Sequence, residues 1–436
     1  MNTSEHLPSA LVGEHAKPPG NELPRDLKYF ILFVLVLTAL CALVEFVCFQ
    51  IFHLRYPYTW PLMPWEDPFR DFYLYKGRYA FFHTPYFFSY EGPAYMYPAP
   101  LAVVYRCFYF LPHSTWVFLG TTVAVFVVGA GLFERVLVAK GISHFQAAVF
   151  VALTFICSYA FFFEFEQANM EIIIWLLVAL GTWAFLRGQG LMAAACFGIA
   201  GAMKIFPLVF LGLFLSRKQY RETVLALVVS GLTTVSALWL VCPDLATSWQ
   251  GIEKGLALFR EKYALQYNQL GFDHSLFAFP KAIFGSTKFF THSAVPPGRQ
   301  TIGPILTVYL PVVALIGILL YFLKIRRLPI VNQVTCLTVA SILLPPVSFD
   351  YTLMHLYIPW ALLVLFAIET RERISSGLTT AFACFAILLS PETEFIFYHH
   401  SVGGQIKAVT LVVLMTVSLL HRFPSSYDVE LKQVPT

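Results

Sequence analysis

The sequence predicts an all-α, polytopic membrane protein with about twelve transmembrane helices. Three observations carry that expectation. The 436-residue chain is 58% hydrophobic and only 12% charged, about half the charge of an average soluble domain. Its mean hydropathy is +0.68. Its apolar runs recur at roughly 17 to 25 residues, the length of a helical span rather than of a barrel strand of about ten. The net charge of +4 is scattered over short loops, so it reports membrane orientation and gives no support for a nucleic-acid partner.

In chain order, residues 1–27 are polar and carry Pro18, Pro19 and Pro24, which predicts a flexible cytoplasmic tail without the features of a cleaved signal. Residues 28–421 form the membrane domain, opened by a signal-anchor helix over 29–53. Further spans are expected near 114–134, 143–163, 169–186, 189–203, 205–216, 222–242, 304–323, 330–346, 352–368, 375–390 and 404–421. Residues 422–436 are read as a second cytoplasmic tail. The apolar stretch 97–111 is short and bounded by prolines, and it is expected to lie at the interface without crossing.

Basic residues mark the cytoplasmic side. Arg25/Lys28, Arg135/Lys140, Arg187, Arg217/Lys218/Arg221, Lys324/Arg326/Arg327, Arg371/Arg373 and Arg422 alternate consistently once 97–111 is kept from crossing and 189–216 is treated as a hairpin broken at Lys204. The loops 54–113, 164–168, the Lys204 turn, 243–303, 347–351 and 391–403 then face the extracytoplasmic side, and 54–113 and 243–303 are the large ones. Nearly every unusual polar group falls in these loops.

Asp71 is the leading catalytic candidate. It follows Trp65-Glu66-Asp67-Pro68-Phe69-Arg70, and a helical reading puts Tyr75 on its face, four residues on, where the phenol can steady the carboxylate. A desolvated aspartate beside a cation suits general-base work on a sugar hydroxyl. Glu164-Phe165-Glu166-Gln167-Ala168-Asn169 places acids and amides between apolar spans, a costly arrangement unless they face a cavity or one another. Glu166, Gln167 and Asn169 are therefore candidate sugar ligands, although Asn169 equally suits a helix cap. Lys204, before Pro207, stands in an apolar stretch and suits either an anionic phosphate or a snorkelling position. The large loop offers His274 and Arg299 in a mixed aromatic and basic setting. Asp350, after Pro345 and Pro346, with His355 beyond it, interrupts two apolar helices and is read as a site residue or a helix cap.

No Walker or Rossmann glycine loop, H-E-x-x-H or G-x-S-x-G occurs, which leaves nucleotide-driven transport and the common hydrolases without support. The eight cysteines lie mostly in apolar segments without C-x-x-C spacing and read as small hydrophobes. An enzyme of this design needs a membrane-borne substrate. The rival outside enzymology is a transporter or flippase, motivated by Lys204, Glu166 and Asp350 within the membrane layer, but no internal repeat accompanies it.

The run Asp71-Phe72-Tyr73-Leu74-Tyr75, Tyr97-Pro98, Gln167-Ala168-Asn169, Gly198 and Ala200-Gly201-Ala202-Met203-Lys204 with Pro207 resembles, in order and spacing, the GT-C membrane glycosyltransferases, specifically glycosyltransferase family 87. The chain departs from that pattern at Ala99, at Asp273-His274-Ser275-Leu276 and at Phe349-Asp350-Tyr351. The resemblance implies a multi-pass enzyme of the inner or plasma membrane, with both termini cytoplasmic and its active site outside. It implies transfer of a sugar, commonly mannose, from a polyprenyl-phosphate sugar to a lipid or glycan acceptor. In that scheme Asp71 is the base of an inverting reaction, and Lys204 or Arg299 contacts the donor phosphate. No metal or other cofactor is required. A GT-C transferase moving another group, as a polymerase, ligase or aminoarabinose-type enzyme, is the alternative within the same fold.

Overall fold

The computed structural model describes residues 22–53, 68–266, 270–291, 299–370, 375–390, 396–397, 400–401 and 403–428. These residues are almost wholly helical, with one small antiparallel pairing of Ile396–Phe397 with His400–Ser401. Six helices are long and apolar enough to cross a membrane: Arg25–Val44, Ser114–Ala139, Tyr220–Val241, Ile302–Arg327, Asp350–Thr370 and Gly403–Leu420. A seventh span is a bent pair, His144–Ile156 and Tyr159–Gln167, turned by 51°. Five apolar helices are shorter: Glu171–Leu186, Gly190–Met203, Phe206–Ser216, Ile330–Leu343 and Ser376–Leu389.

The expected segments are therefore helices, whereas the count of about twelve full spans is replaced by six or seven with five shorter companions. Hydropathy measures how apolar a run is, and an apolar run is equally stable against protein. Thirteen of the fourteen residues of Ile330–Leu343 are buried, leaving only Ala340 partly open. In Ile302–Arg327 only 6% of the most apolar stretch is buried, against 89% in Asp350–Thr370. The first faces outward with bare Leu315, Ile316 and Ile318, as a lipid-contacting helix does, and the second is central.

Local sequence explains the boundaries. Ser143 and Ser375 cap their helices by accepting from Gln146 N and Leu378 N at 3.4 and 3.1 Å. Asp244 does the same for Leu245–Phe259 with Ala246 N and Thr247 N. Pro207 sits in the short 3-10 turn Phe206–Phe210, where the run through Lys204 is broken. Ala99–Tyr109 has eleven residues and so rises about 16 Å, roughly half a hydrocarbon core. That length agrees with a segment that does not cross.

The basic loops gather at one end of the bundle. Leu23 N donates to Gln146 Oε1 at 3.0 Å, Lys140 pairs with Glu369 at 2.7 Å, and Glu369 accepts from Ser426 Oγ at 2.9 Å. Asp428 takes the Ile330 N–H at 2.9 Å and lies 3.8 Å from Arg217. Asn332 fastens the last helix by donating to Ser418 O and His421 O at 2.7 and 2.6 Å. The opposite end collects the described parts of other loops. There His83 N donates to Val241 O at 2.9 Å, and His274 N to Ser348 O at 3.0 Å. Gly255 presses on the Tyr95 carbonyl so closely that a Cβ would collide with it.

Candidate active site

Asp71 lies on Arg70–Tyr73, a helical turn too short to hold itself and therefore fixed by its neighbours. Phe72 is fully buried, stacked on Phe118 at 5.0 Å and edge-on to Tyr109 at 4.8 Å, and Tyr109 OH donates to its carbonyl. Phe69 packs edge-on against Phe165 at 6.0 Å, and its N–H donates to Glu166 O at 2.7 Å. The turn bearing Asp71 is thus docked on the turn that joins Tyr159–Gln167 to Glu171–Leu186.

That second turn reverses through Ala168, which has a left-handed φ of 50°. Asn169 follows, buried, with both ends of its amide in use. Its Oδ1 accepts from Glu171 N at 3.0 Å, and its Nδ2 donates to Asp71 Oδ2 at 2.5 Å and approaches Tyr97 OH at 3.5 Å. Asp71 keeps partial exposure while protein surrounds it. Desolvation raises its carboxyl pKa, opposed by the Asn169 hydrogen bond and by the charges of Lys204 and Arg70.

Lys204 ends Gly190–Met203 in extended backbone and turns its ammonium to Glu171. Glu171 is fully buried and also binds His355 Nε2 through its other oxygen at 2.8 Å. The Lys204 ammonium lies 4.7 Å from the centre of the Tyr351 ring and 5.9 Å from that of Phe206. Tyr97 stands close enough to Asp71 for its charge to raise the phenol pKa, after the larger effect of burial, and the Asp71 charge also reaches Tyr351. These contacts gather Asp71, Asn169, Tyr97, Tyr351 and Lys204 into one cluster, with Glu171 and His355 behind Lys204. Glu164, fully buried, accepts from Ile172 N at 3.2 Å through Oε1, and Glu166 beside it is half-buried.

Asp350 and His274 do not join this cluster. Asp350 is fully buried and bonded to Lys407 at 2.7 Å, Tyr159 OH at 2.9 Å and His274 Nδ1 at 3.2 Å. His274 Nε2 lies 3.1 Å from both Ser348 Oγ and Thr352 Oγ1. Asp273, paired with Lys281, accepts from Ser275 N and Ser348 N at 3.1 Å. This is a closed network that ties the large loop to the 345–352 turn. The 3-10 turn Asp350–Leu356 explains the division, because it aims Asp350 into the closed network and Tyr351 and His355 towards Lys204 and Glu171.

One further sequence expectation needs correction. Tyr75 does not steady Asp71 from a shared helix face. The helix ends at Tyr73, and Tyr75 turns into a ring cluster with Tyr95 at 5.1 Å and Tyr97 at 5.6 Å, leaving Asn169 as the donor to Asp71. Asn169 uses its amide on Glu171 N and Asp71 Oδ2, the helix-cap arrangement that the sequence offered beside a sugar contact. Gln167 ends its helix half-buried, two residues before Asn169. Arg299 opens the helix Arg299–Leu323, but its side chain is outside the described residues, as are Glu66 and Asp67 altogether. Sequence reasoning passed over Lys407, although it carries the signal used for Lys204, an ammonium inside an apolar run. Glu171 and His355 stand 184 positions apart, so no local spacing joins them.

A sequence profile of glycosyltransferase family 87 matches residues 95–346, more than half of the chain. The chain belongs to glycosyltransferase family 87. It is accordingly a membrane glycosyltransferase, and the family match spans Asn169, Glu171, Lys204 and His274 while starting after Asp71. Comparisons with curated proteins and with solved structures returned no match.

Proposed function

We propose that this family 87 glycosyltransferase has a GT-C-like architecture and transfers a sugar, mannose first among candidates, from a polyprenyl-phosphate sugar to a lipid or glycan acceptor. The reaction takes place on the extracytoplasmic side of the inner or plasma membrane, with both chain ends cytoplasmic, since the basic loops share the opposite end. The observation that carries the reading is the meeting of Asp71, a desolvated carboxylate, with Lys204, a cation at a helix break, in one cluster with Tyr97 and Tyr351.

Asn169 occupies Asp71 Oδ2, which leaves Oδ1 to receive an acceptor hydroxyl. That hydroxyl oxygen attacks the anomeric carbon from the face opposite the phosphate. As the carbon–oxygen bond to polyprenyl phosphate breaks, the hydroxyl proton passes to Asp71 and the configuration inverts. Charge on the departing phosphate is balanced by Lys204 or Arg299. No metal enters this step. A base in position contributes about 10²- to 10⁴-fold.

The test uses membranes carrying the full chain, supplied with radiolabelled polyprenyl-phosphate mannose. Asp71→Asn is expected to lower transfer at least about 100-fold at unchanged protein level. Turnover retained by that variant would remove Asp71 from the mechanism. Wild-type turnover restricted to another polyprenyl-linked donor, such as glucose or aminoarabinose, would keep the mechanism and replace the sugar.

A further inference from the structure

We infer that Asn169 is a positioning residue for Asp71: it holds Oδ2 by hydrogen bond, and so presents the other carboxylate oxygen to the acceptor. The inference rests on the reading of Asp71 as the base.

The amide of Asn169 has no freedom of orientation. Glu171 N–H can donate only to the amide oxygen, so the bond at 3.0 Å assigns Oδ1 and leaves Nδ2 to face Asp71 Oδ2 at 2.5 Å. The same turn grips the Asp71 helix a second time, where Glu166 O accepts from Phe69 N–H at 2.7 Å. Both gripping points are built on non-glycine residues with left-handed φ, 62° at Phe69 and 50° at Ala168. Such conformations cost free energy and persist only where surrounding contacts impose them. Beside the packing of Phe72 and its bond from Tyr109 OH, this turn adds two bonds, one to the backbone and one to the carboxylate, to a four-residue helix that could not hold a fixed orientation alone. The groups facing the Asp71 carboxylate are Asn169 and Glu164 from the two helices at the turn, Lys204 from the broken hairpin, Arg70 and Tyr75 from its own segment, Tyr97, Tyr105 and Tyr109 from the interfacial segment and Tyr351 from the 350–356 turn. Among the described residues, Asn169 is the neutral side chain that donates to Asp71.

The experiment compares Asn169→Asp and Asn169→Ala in the full-length protein. Asn169→Asp keeps an oxygen for Glu171 N–H, and so keeps the helix cap, but replaces the donor facing Asp71 with a second carboxylate. Two readouts are taken: an infrared carboxyl titration of the purified protein, with the Asp71 band identified by its loss in Asp71→Asn, and the pH profile of transfer from polyprenyl-phosphate mannose. Removing a donor to a carboxylate raises the Asp71 titration midpoint, so Asn169→Ala should move it and the acid limb of kcat upward by about one to two pH units. Asn169→Asp should titrate as a coupled pair and turn the kcat profile into a bell, because activity then needs one shared proton. The KM for the donor should change less than twofold in both. An Asn169→Asp enzyme with the wild-type midpoint and profile would overturn the inference and reduce Asn169 to a helix cap. Retained transfer by Asp71→Asn, with the infrared shift present, would instead remove the base assignment and leave the contact standing.

Discussion

The Asp71 carboxylate takes its hydrogen bond from a side chain 98 positions away, and its surroundings act on it in opposite directions. Burial raises its pKa above the ordinary value of 3.8, and Asn169, Lys204 and Arg70 restrain the rise without cancelling it. The sign for catalysis follows. A base works ionised, so the acid limb of kcat should lie above the ordinary aspartate range, and a limb near the unperturbed value would contradict the described environment. For stability the sign is reversed. A raised carboxyl contributes stability below its unfolded value and loses that contribution as pH climbs through the raised one. Asp71→Asn is neutral throughout, so at pH 7 its thermal midpoint should equal or exceed wild type even as transfer is lost, and a clear drop would mark Asp71 as structural. Lys204 behaves differently. Lys204→Met leaves Glu171 buried beside His355 alone, and should destabilise by about 3–5 kcal/mol. Adding Glu171→Gln should restore much of the melting midpoint in detergent while transfer stays low. Equal stability of Lys204→Met and wild type would show that the pair is not formed.

At the scale of elements, the site stands on breaks in regular structure. The Tyr159–Gln167 helix ends in a left-handed alanine, the Gly190–Met203 helix ends at an extended lysine, and the 345–349 turn yields to a 3-10 helix. Each break leaves backbone groups that must be satisfied within protein or water, which is why polar side chains cluster there. Ala168 tests this directly. Ala168→Gly relieves left-handed strain of about 1 kcal/mol and should leave both transfer and stability at or above wild type. Ala168→Val places a branched side chain in the same conformation and should lower the melting midpoint and kcat together, because the turn carries the two bonds that place Asp71. Ala168→Val with unchanged kcat would show that Asp71 is placed by other contacts. These breaks were partly legible in the sequence. Pro207 beside Lys204 and the acid-amide run at 164–169 were visible as anomalies in apolar stretches. The Phe69 to Glu166 docking was not, because no local pattern announces a bond between two turns.

At the scale of the molecule, helices with lipid-facing side chains surround nearly closed ones, and the two ends differ in character. One end holds the Lys140–Glu369 and Arg217–Asp428 pairs, and the other holds Asp71, Lys204 and the Asp350 network. The proposed orientation predicts opposite accessibility for two exposed positions in a cysteine-free background. Tyr86→Cys, at the site end, should react with a membrane-impermeant maleimide from the extracytoplasmic side, and Phe145→Cys, at the basic end, only after permeabilisation. The reverse pattern would place the site in the cytoplasm.

The sequence by itself determined that the chain is helical and membrane-embedded, where its apolar segments run, that 97–111 is a short one, and which rare polar residues lie at segment ends. Composition and spacing carry that information because the bilayer penalises each unsatisfied backbone or charged group where it stands. Tertiary structure decided the partners. It gave Asp71 to Asn169 rather than Tyr75, Lys204 and His355 to one shared glutamate, and Asp350 with His274 to a separate network closed by Lys407. A hydrogen bond is specified by distance and direction in space, and residues 98 or 184 positions apart acquire both only when helices pack.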